Sequence, residues 1–231
     1  MALTGLKGLH TMYQLATVSR GRGGWKMPSA FSGKERARIA VALRETARRV
    51  ALESGMNAVT VEELATRAGI SKGAFYKFYP SKEILFLEIL EETHTRVYGM
   101  AETMLAKSGT KNQKDRAVET ILNVCSLLEE SGMIPFMEND LPILLKNLPE
   151  DMLRAHYHGD EVHVLELLHR IAPDSKVPDD FSAAAVRALL LLIAHRSQIG
   201  EHYQEVLELM VQATCDQLFA DDTSTRQEGR R

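Results

Sequence analysis

Three side chains that can contact nucleic acid lie close together at residues 72–77. Lys72 and Lys77 can reach phosphates or base edges in the major groove, and Tyr76 can donate a hydrogen bond to a phosphate. Gly73 lies among them, although glycine inside a helix costs about 1 kcal/mol relative to alanine. Close approach to a DNA backbone would explain that glycine. The pattern predicts a DNA-contacting helix.

Two short helices joined by a sharp turn are needed to position these side chains. Thr60 and Glu63 have the spacing of a capping box, which starts the first of these helices. Gly69 can adopt positive φ at the turn, and Ser71 can cap the second helix. Pro80 disfavours helical geometry at the residue before it, so the second helix must be short. The arrangement predicts a helix-turn-helix.

The hydrophobic pattern around this motif is helical. A helix is predicted from Lys34 to Gly55, and Leu64, Ile70 and Phe75 are predicted to fill a small core. Further helices are predicted near 82–106, 114–131, 149–172, 182–198 and 201–219, with loops around Ser108, Pro135, Pro142, Pro149 and the segment 173–178. Since no strand pattern is found, we expect an all-α fold. A three-helix domain at 34–80 is followed by a helical domain at 81–220.

Charge is distributed unevenly along the 231 residues. The net charge is −3, but residues 1–33 carry +4, residues 34–80 carry +4, and residues 81–231 carry −11. The first third is therefore basic, as expected for a part that faces nucleic acid, and the rest is acidic. Residues 1–33 are predicted to be either a disordered basic arm or an over-called start before Met27. Residues 221–231 are predicted to be a disordered tail.

Composition and motifs argue against several classes of protein. Hydrophobic residues make up 45% of the chain and charged residues 26%, which is typical of a globular protein. No apolar run reaches the length of about 18 residues that spans a bilayer, so we expect no membrane association. The two cysteines suit a reducing compartment, and we expect a cytoplasmic protein. Since no phosphate-binding loop, nucleophile elbow or HExxH motif occurs, we expect no enzyme and no cofactor.

The run GISKGAFYKFYPSKEIL at residues 69–85 resembles the signature of TetR-type bacterial transcriptional regulators. The similarity extends back through TVEELATRA at residues 60–68 and covers residues 36–90 closely. The remainder resembles the family in its helical layout and in an apolar penultimate helix. The resemblance implies an N-terminal DNA-binding domain and a helical domain for ligand binding and dimerisation.

The resemblance also implies roles for individual residues. The residues expected to hold phosphates are Thr60, Ser71, Tyr76 and Lys82, and those expected to face base edges are Lys72, Ala74 and Lys77. Phe75 is expected in the core. Tyr79 stands where the family usually has phenylalanine, so we expect a core position in which its hydroxyl needs a partner.

The last two predicted helices are apolar on more than one side, which suggests that they pack on the core and on a second subunit. Residues predicted at this dimer interface are Leu189, Leu192, Val206, Met210 and Ala213. A hydrophobic ligand pocket is predicted from Met100, Met104, Cys125, Leu128, Met133, Phe136, Met137 and Tyr157, with plain core packing as the alternative for each. Pro135 is expected to interrupt a helix there and let the backbone open.

One polar set has the spacing of metal ligands. His156, Asp160 and His163 lie on one face of a predicted helix and could hold an ion. Polar side chains on a solvated face are more common, so we predict no metal.

The favoured function is a dimeric repressor that binds a palindromic DNA operator and is released by an unknown small hydrophobic effector, although activation remains open. The alternatives are a helical enzyme or a non-specific DNA-associated protein.

Overall fold

The computed structural model describes residues 31–107, 112–171 and 176–219, which form helices joined by short turns and contain no strand. The helices are α1 Gly33–Glu53, α2 Val61–Arg67, α3 Lys72–Phe75, α4 Lys82–Lys107, α5 Gln113–Glu130, α6 Ile134–Asn139, α7 Leu141–Lys146, α8 Glu150–Ile171, α9 Asp179–Ala194, α10 Arg196–Ile199 and α11 Tyr203–Leu218. The predicted all-α fold is confirmed. Three predicted features lie outside the described residues. They are the tail, residues 1–30 of the arm, and the loop residues Ser108 and Pro173.

Helices α1 to α3 begin at residues whose side chains bind the free amides of the first turn. The Thr60 hydroxyl accepts from the Glu63 amide, and the Glu63 carboxylate accepts from the Thr60 amide, which confirms the predicted capping box. Ser71 caps α3 through the Ala74 amide. Gly69 has φ +75° at the turn between α2 and α3, the conformation expected from its type.

The start of α1 differs from the prediction. Ser32 and Glu35 form a second capping box, so the helix begins at Gly33 and residues 31–33 belong to the folded domain, not to the arm. The Phe31 ring lies 5.9 Å from the ring of Phe78. The Ser-x-x-Glu spacing was present in the sequence and could have located this boundary.

Two short helices replace the loops expected around Pro135 and Pro142. Each proline lies in the first turn of its helix, α6 or α7, where its missing N–H is not needed. The prediction that Pro135 interrupts a helix and opens the backbone is therefore wrong. Phe136 is fully buried, and its ring stacks on that of Phe86 in α4 at 5.9 Å.

The core of the head, which comprises α1 to α3, continues into the body, which comprises α4 to α11. Buried residues of α1 to α4 form one cluster with residues from α6 to α8, namely Met133, Phe136, Leu144, Leu148 and Met152. A second cluster lies deeper in the body and draws on α4 to α6, α8, α9 and α11. The helix-turn-helix therefore shares its core with the body, and α4 runs through both.

Polar contacts join the head to α4. The Tyr79 hydroxyl donates to Glu88 Oε2 at 2.6 Å, so the partner predicted for this hydroxyl is found. Arg44 of α1 pairs with Glu88 at 3.3 Å and with Glu92 at 3.3 Å, and Arg48 also pairs with Glu92. Burial, followed by the charge of Glu88, raises the pKa of Tyr79 well above its usual value. The hydroxyl therefore stays protonated and donates.

No helix among the described residues is both long enough and apolar enough to cross a membrane.

Candidate nucleic-acid interface

Four of the predicted DNA-contacting residues share one exposed side of α3 and the turn after it. Lys72, Gly73, Tyr76 and Lys77 are exposed, with the Tyr76 side chain 51% accessible. The fully buried Phe75 fixes the opposite side. The short helix therefore presents two cations, a phenol and an open stretch of backbone together, which is the chemistry that phosphates and base edges require.

Gly73 has no structural requirement for glycine within the protein. A Cβ at this position would meet no other atom within 4 Å, and the residue does not have positive φ. Glycine still lowers the stability of a helix relative to alanine. The surroundings inside the chain therefore do not explain this residue.

Ala74 and Thr60 have structural roles in addition to the DNA contacts predicted for them. Ala74 is only 9% exposed, because it lies on the side of α3 that turns toward the core with Phe75, and it offers little surface to a base edge. The Thr60 hydroxyl donates its single proton to Glu63 Oε2 at 2.9 Å. The Thr60 hydroxyl therefore caps α2, and the phosphate contact expected of it stays a prediction.

Lys82 has a structural role that the sequence did not indicate. Its ammonium donates to the carbonyl oxygens of Met56 at 2.9 Å and Val59 at 2.8 Å, and so secures the 3-10 turn Met56–Ala58 after α1. An ammonium has three N–H donors. A phosphate contact through the third donor remains a prediction.

Phe31 and Arg36, at the start of α1, pack against residues just after α3. Neither was predicted as part of the site. The Arg36 guanidinium lies 5.1 Å from the centre of the Phe78 ring, and the Lys77 ammonium lies 5.8 Å from the centre of the Phe31 ring. These contacts hold α1 against the turn that carries Tyr76 and Lys77. The aromatic residues Phe31 and Phe78 were the feature of the sequence that could have indicated these contacts.

The predicted dimer residues are divided by the structure between core and surface. Leu189 is 1% exposed and belongs to the body core, so its assignment to an interface was wrong. Leu192 and Val206 are half-buried, and Met210 and Ala213 are exposed. The apolar residues on the exposed sides of α9 and α11 are Phe181, Ala184, Ala188, Leu191, Leu209, Met210 and Ala213.

The eight residues predicted to line a ligand pocket are divided among two core clusters and the surface. Met133 and Phe136 belong to the core shared with the head, whereas Cys125, Leu128 and Met137 belong to the body cluster. Met100 and Tyr157 are exposed, and Met104 is half-buried. A cleft of 440 Å³ between α5 and α11 has a different and largely polar lining: Lys114, Asp115, Val118, Glu119, Leu122, Asn123, Gln212 and Asp216.

A cluster of histidines and carboxylates lies between α4 and α8. His94 Nδ1 is 2.9 Å from Asp160 Oδ1, and His156 Nδ1 is 2.6 Å from Glu91 Oε1. His163 is not part of it, because its Nδ1 contacts the carbonyl oxygen of Gly159 at 2.7 Å on its own helix. The predicted trio therefore does not meet, and Glu91 and His94 were missed because they are distant in sequence.

The electrostatics of the His94–Asp160 pair favour the charged form of both side chains. Burial disfavours the protonated form of His94, but the hydrogen bond and negative charge of Asp160 outweigh it, so the pKa of His94 lies above its usual value. Burial also opposes ionisation of Asp160, yet its contact with His94 holds the pKa of Asp160 below the usual range. The two groups stabilise each other's charge.

Comparison with known proteins agrees with this geometry. Residues 43–89 match the family model described as "Bacterial regulatory proteins, tetR family". The chain is 28% identical over 120 residues to the HTH-type transcriptional regulator YdgC of Bacillus subtilis strain 168, an alignment covering 46% of this chain and 62% of YdgC. It is 34% identical over 121 residues to the HTH-type transcriptional repressor NemR of Escherichia coli strain K12, covering 51% of this chain and 59% of NemR.

A solved structure shares the arrangement of helices. The crystal structure of a TetR transcriptional regulator from Rhodococcus sp. RHA1 aligns with a TM-score of 0.56 and 18% identity, covering 81% of this chain and 98% of that chain. At this identity the similarity concerns the fold. The alignments with YdgC and NemR span less than two thirds of either relative.

The N-terminal domain is thus a helix-turn-helix of the DNA-binding class, formed by α1 to α3. The resemblance to TetR-type regulators that the sequence indicated is supported by the family match over residues 43–89 and by these relatives. YdgC and NemR are named as regulators of transcription and not as enzymes, in agreement with the expectation of no enzymatic activity.

Proposed function

We propose that this protein is a transcriptional repressor that binds a palindromic DNA operator as a homodimer and is released by a small hydrophobic effector. The observation that carries the proposal is the exposed set Lys72, Gly73, Tyr76 and Lys77 on α3, held in place by the buried Phe75. A helix of this kind enters the major groove and reads base edges through cationic side chains. Ser71 and the third donor of Lys82 supply phosphate contacts beside it.

Gly73 supports the groove-binding role independently. Nothing in the protein requires glycine there, yet the residue has a cost in helix stability. A DNA backbone that lies against α3 would explain why glycine is present despite this cost, because a Cβ would then project into the interface. We assign Gly73 to close approach between the protein backbone and the operator.

Dimerisation would occur through α9 and α11. The stripe Phe181, Ala184, Ala188 and Leu191 follows one side of α9, and Leu209, Met210 and Ala213 extend it onto α11, which packs beside α9. Two such helix pairs bury their apolar sides as a four-helix interface around a two-fold axis. A dimer then brings two α3 helices to successive major grooves, about 34–36 Å apart, on a palindromic site.

Effector control would act on the junction of α4, α6 and the head. Phe136 of α6 stacks on Phe86 of α4, and Asp140 at the end of α6 holds Asn57 in the head. A hydrophobic ligand that separates α6 from α4 would disturb both contacts at once. The two heads would then no longer match successive grooves, which couples ligand binding to loss of DNA affinity.

Substituting Gly73 tests DNA binding without disrupting the fold. Genomic fragments retained by the purified protein supply the operator, and its affinity is compared with that of random DNA at a fixed salt concentration. Gly73→Ala is expected to raise thermal stability slightly and to weaken operator binding at least tenfold. The control is Gly99→Ala in α4, where a Cβ is equally unobstructed and operator affinity should be unchanged.

Two outcomes would contradict the proposal. If Gly73→Ala bound the operator as tightly as the native chain, α3 would not approach the DNA as described. If operator and random DNA were bound equally, the protein would be a non-specific DNA-associated protein.

A further inference from the structure

The two long helices α4 and α8 bring four metal-ligating side chains together inside the body. Glu91 and His94 are three residues apart on α4, and His156 and Asp160 are four residues apart on α8, so each pair lies on one face of its helix. In helix bundles, metal sites are built in this way, from carboxylates and histidines on facing helices.

The distances within this cluster suit a single ion. One ligand atom from each of Glu91, His94 and His156 lies within 4.8 Å of the other two. His156 Nε2 is also 3.7 Å from Asp160 Oδ2. Ligand atoms around a tetrahedral zinc ion, with bonds of about 2.0–2.2 Å, are about 3.3–3.6 Å apart. The cluster is therefore somewhat wider than a zinc site, and its side chains would turn toward an ion to hold it.

The surroundings also match those of a metal centre. His156 is the most enclosed member, with a side chain 5% exposed, while the other three remain partly accessible and leave a route for an ion. The imidazole rings of His94 and His156 stack with centroids 5.4 Å apart. The Tyr98 ring packs edge-on beside the His94 ring, with centroids 6.1 Å apart, and helps to fix the orientation of that imidazole. Two carboxylates beside two imidazoles balance the charge of a dication.

We propose that Glu91, His94, His156 and Asp160 form a site for one divalent transition-metal ion of the zinc class, bridging α4 and α8. Two imidazole nitrogens and two carboxylate oxygens are a donor set that suits Zn²⁺ and Co²⁺ better than Mg²⁺ or Ca²⁺. This site goes beyond the proposed repressor function and does not depend on it. Because Glu88 and Glu92, which hold Arg44, lie on α4 next to Glu91, the ion would also hold the helix that carries the head.

Cobalt binding tests the site directly in the full chain, purified without an affinity tag and stripped of metal. One equivalent of Co²⁺ is expected to produce visible ligand-field absorption, which one equivalent of Zn²⁺ then removes. Glu91→Gln and His94→Gln, at partly exposed positions, are each expected to abolish the absorption and weaken Zn²⁺ binding at least about 100-fold. His156→Gln should do the same if circular dichroism shows that it folds.

The matched control is His158→Gln, because His158 lies on α8 but is exposed and outside the cluster. It should bind both metals like the native chain. Absence of the Co²⁺ absorption in the native chain would overturn the proposal. Retention of full Zn²⁺ affinity in both Glu91→Gln and His94→Gln would also overturn it, because binding would then occur at other surface side chains.

Discussion

The carboxylate of Asp140 accepts two hydrogen bonds from Asn57, one from the backbone amide at 3.1 Å and one from the side-chain amide at 2.8 Å. Asp140 lies between α6 and α7 in the body, and Asn57 lies in the turn between α1 and α2. Gly55 makes this approach possible, because a Cβ there would lie 2.3 Å from Asp140 Oδ2. The body therefore holds the head by a partly buried polar contact close to the helix-turn-helix.

A double-mutant cycle should detect this contact in the free energy of unfolding. Asp140→Ala and Asn57→Ala are each expected to cost about 1.5–3 kcal/mol, the range for hydrogen bonds to charged groups. The double variant should cost clearly less than the two combined, since the second substitution removes a partner that is already lost. Urea unfolding measures all four proteins, and simple additivity would argue that the contact contributes nothing.

Operator binding gives the same pair of residues a functional readout. If the body controls the head through this contact, Asp140→Ala should weaken operator binding while the dimer mass stays unchanged. Unaltered affinity in a folded Asp140→Ala variant would show that control does not pass through Asn57.

Loss of the hydroxyl should lower the stability of the protein at Tyr79 and the affinity for the operator at Tyr76. Tyr79→Phe removes the donor to Glu88 and is expected to cost about 1–2 kcal/mol of stability. Tyr76→Phe, at an exposed position, should leave stability unchanged and weaken operator binding through loss of a phosphate contact. Thermal unfolding and DNA titration of both variants check this, and a loss of stability in Tyr76→Phe would contradict the assignment.

Leu209 should be decisive for dimerisation, since its side chain is 66% exposed on α11. Leu209→Glu would bury an unpaired carboxylate at the proposed interface, and the dimer dissociation constant is expected to rise at least about 100-fold. Light scattering at micromolar concentration should then give a monomer mass. Val162→Glu, at an exposed apolar position on α8, is the control and should remain dimeric.

Both cysteines should be chemically inert in the folded protein. Burial, more than any nearby charge, raises the pKa of Cys125 to about 12 and that of Cys215 to about 11. At pH 8 the thiolate fraction of each is therefore about one in a thousand or less. Iodoacetamide at pH 8 should label neither thiol until denaturant is added, as measured by mass spectrometry. Rapid labelling of the native protein would show that the body opens.

Local features of this protein could be predicted from the sequence because their interactions span only a few residues. The capping box of Thr60 and Glu63, the Ser71 cap and the positive φ of Gly69 depend on hydrogen bonds and sterics within one turn of chain. The motif at residues 69–85 depends on the same local rules. The order of residues along the chain was therefore sufficient to predict the fold class and the DNA-binding element.

Which side of each body helix faces the core could be decided only by tertiary structure. The run around Leu189 and Leu191 is apolar at nearly every position, so it carries no periodicity, yet Leu189 is buried and Leu191 is exposed. Likewise, nothing in the local sequence connects Asn57 with Asp140, 83 residues away, or Glu91 with His156, 65 residues away. Such pairs form only when helices distant in sequence pack together, because the free energy of burial depends on packing and not on position along the chain.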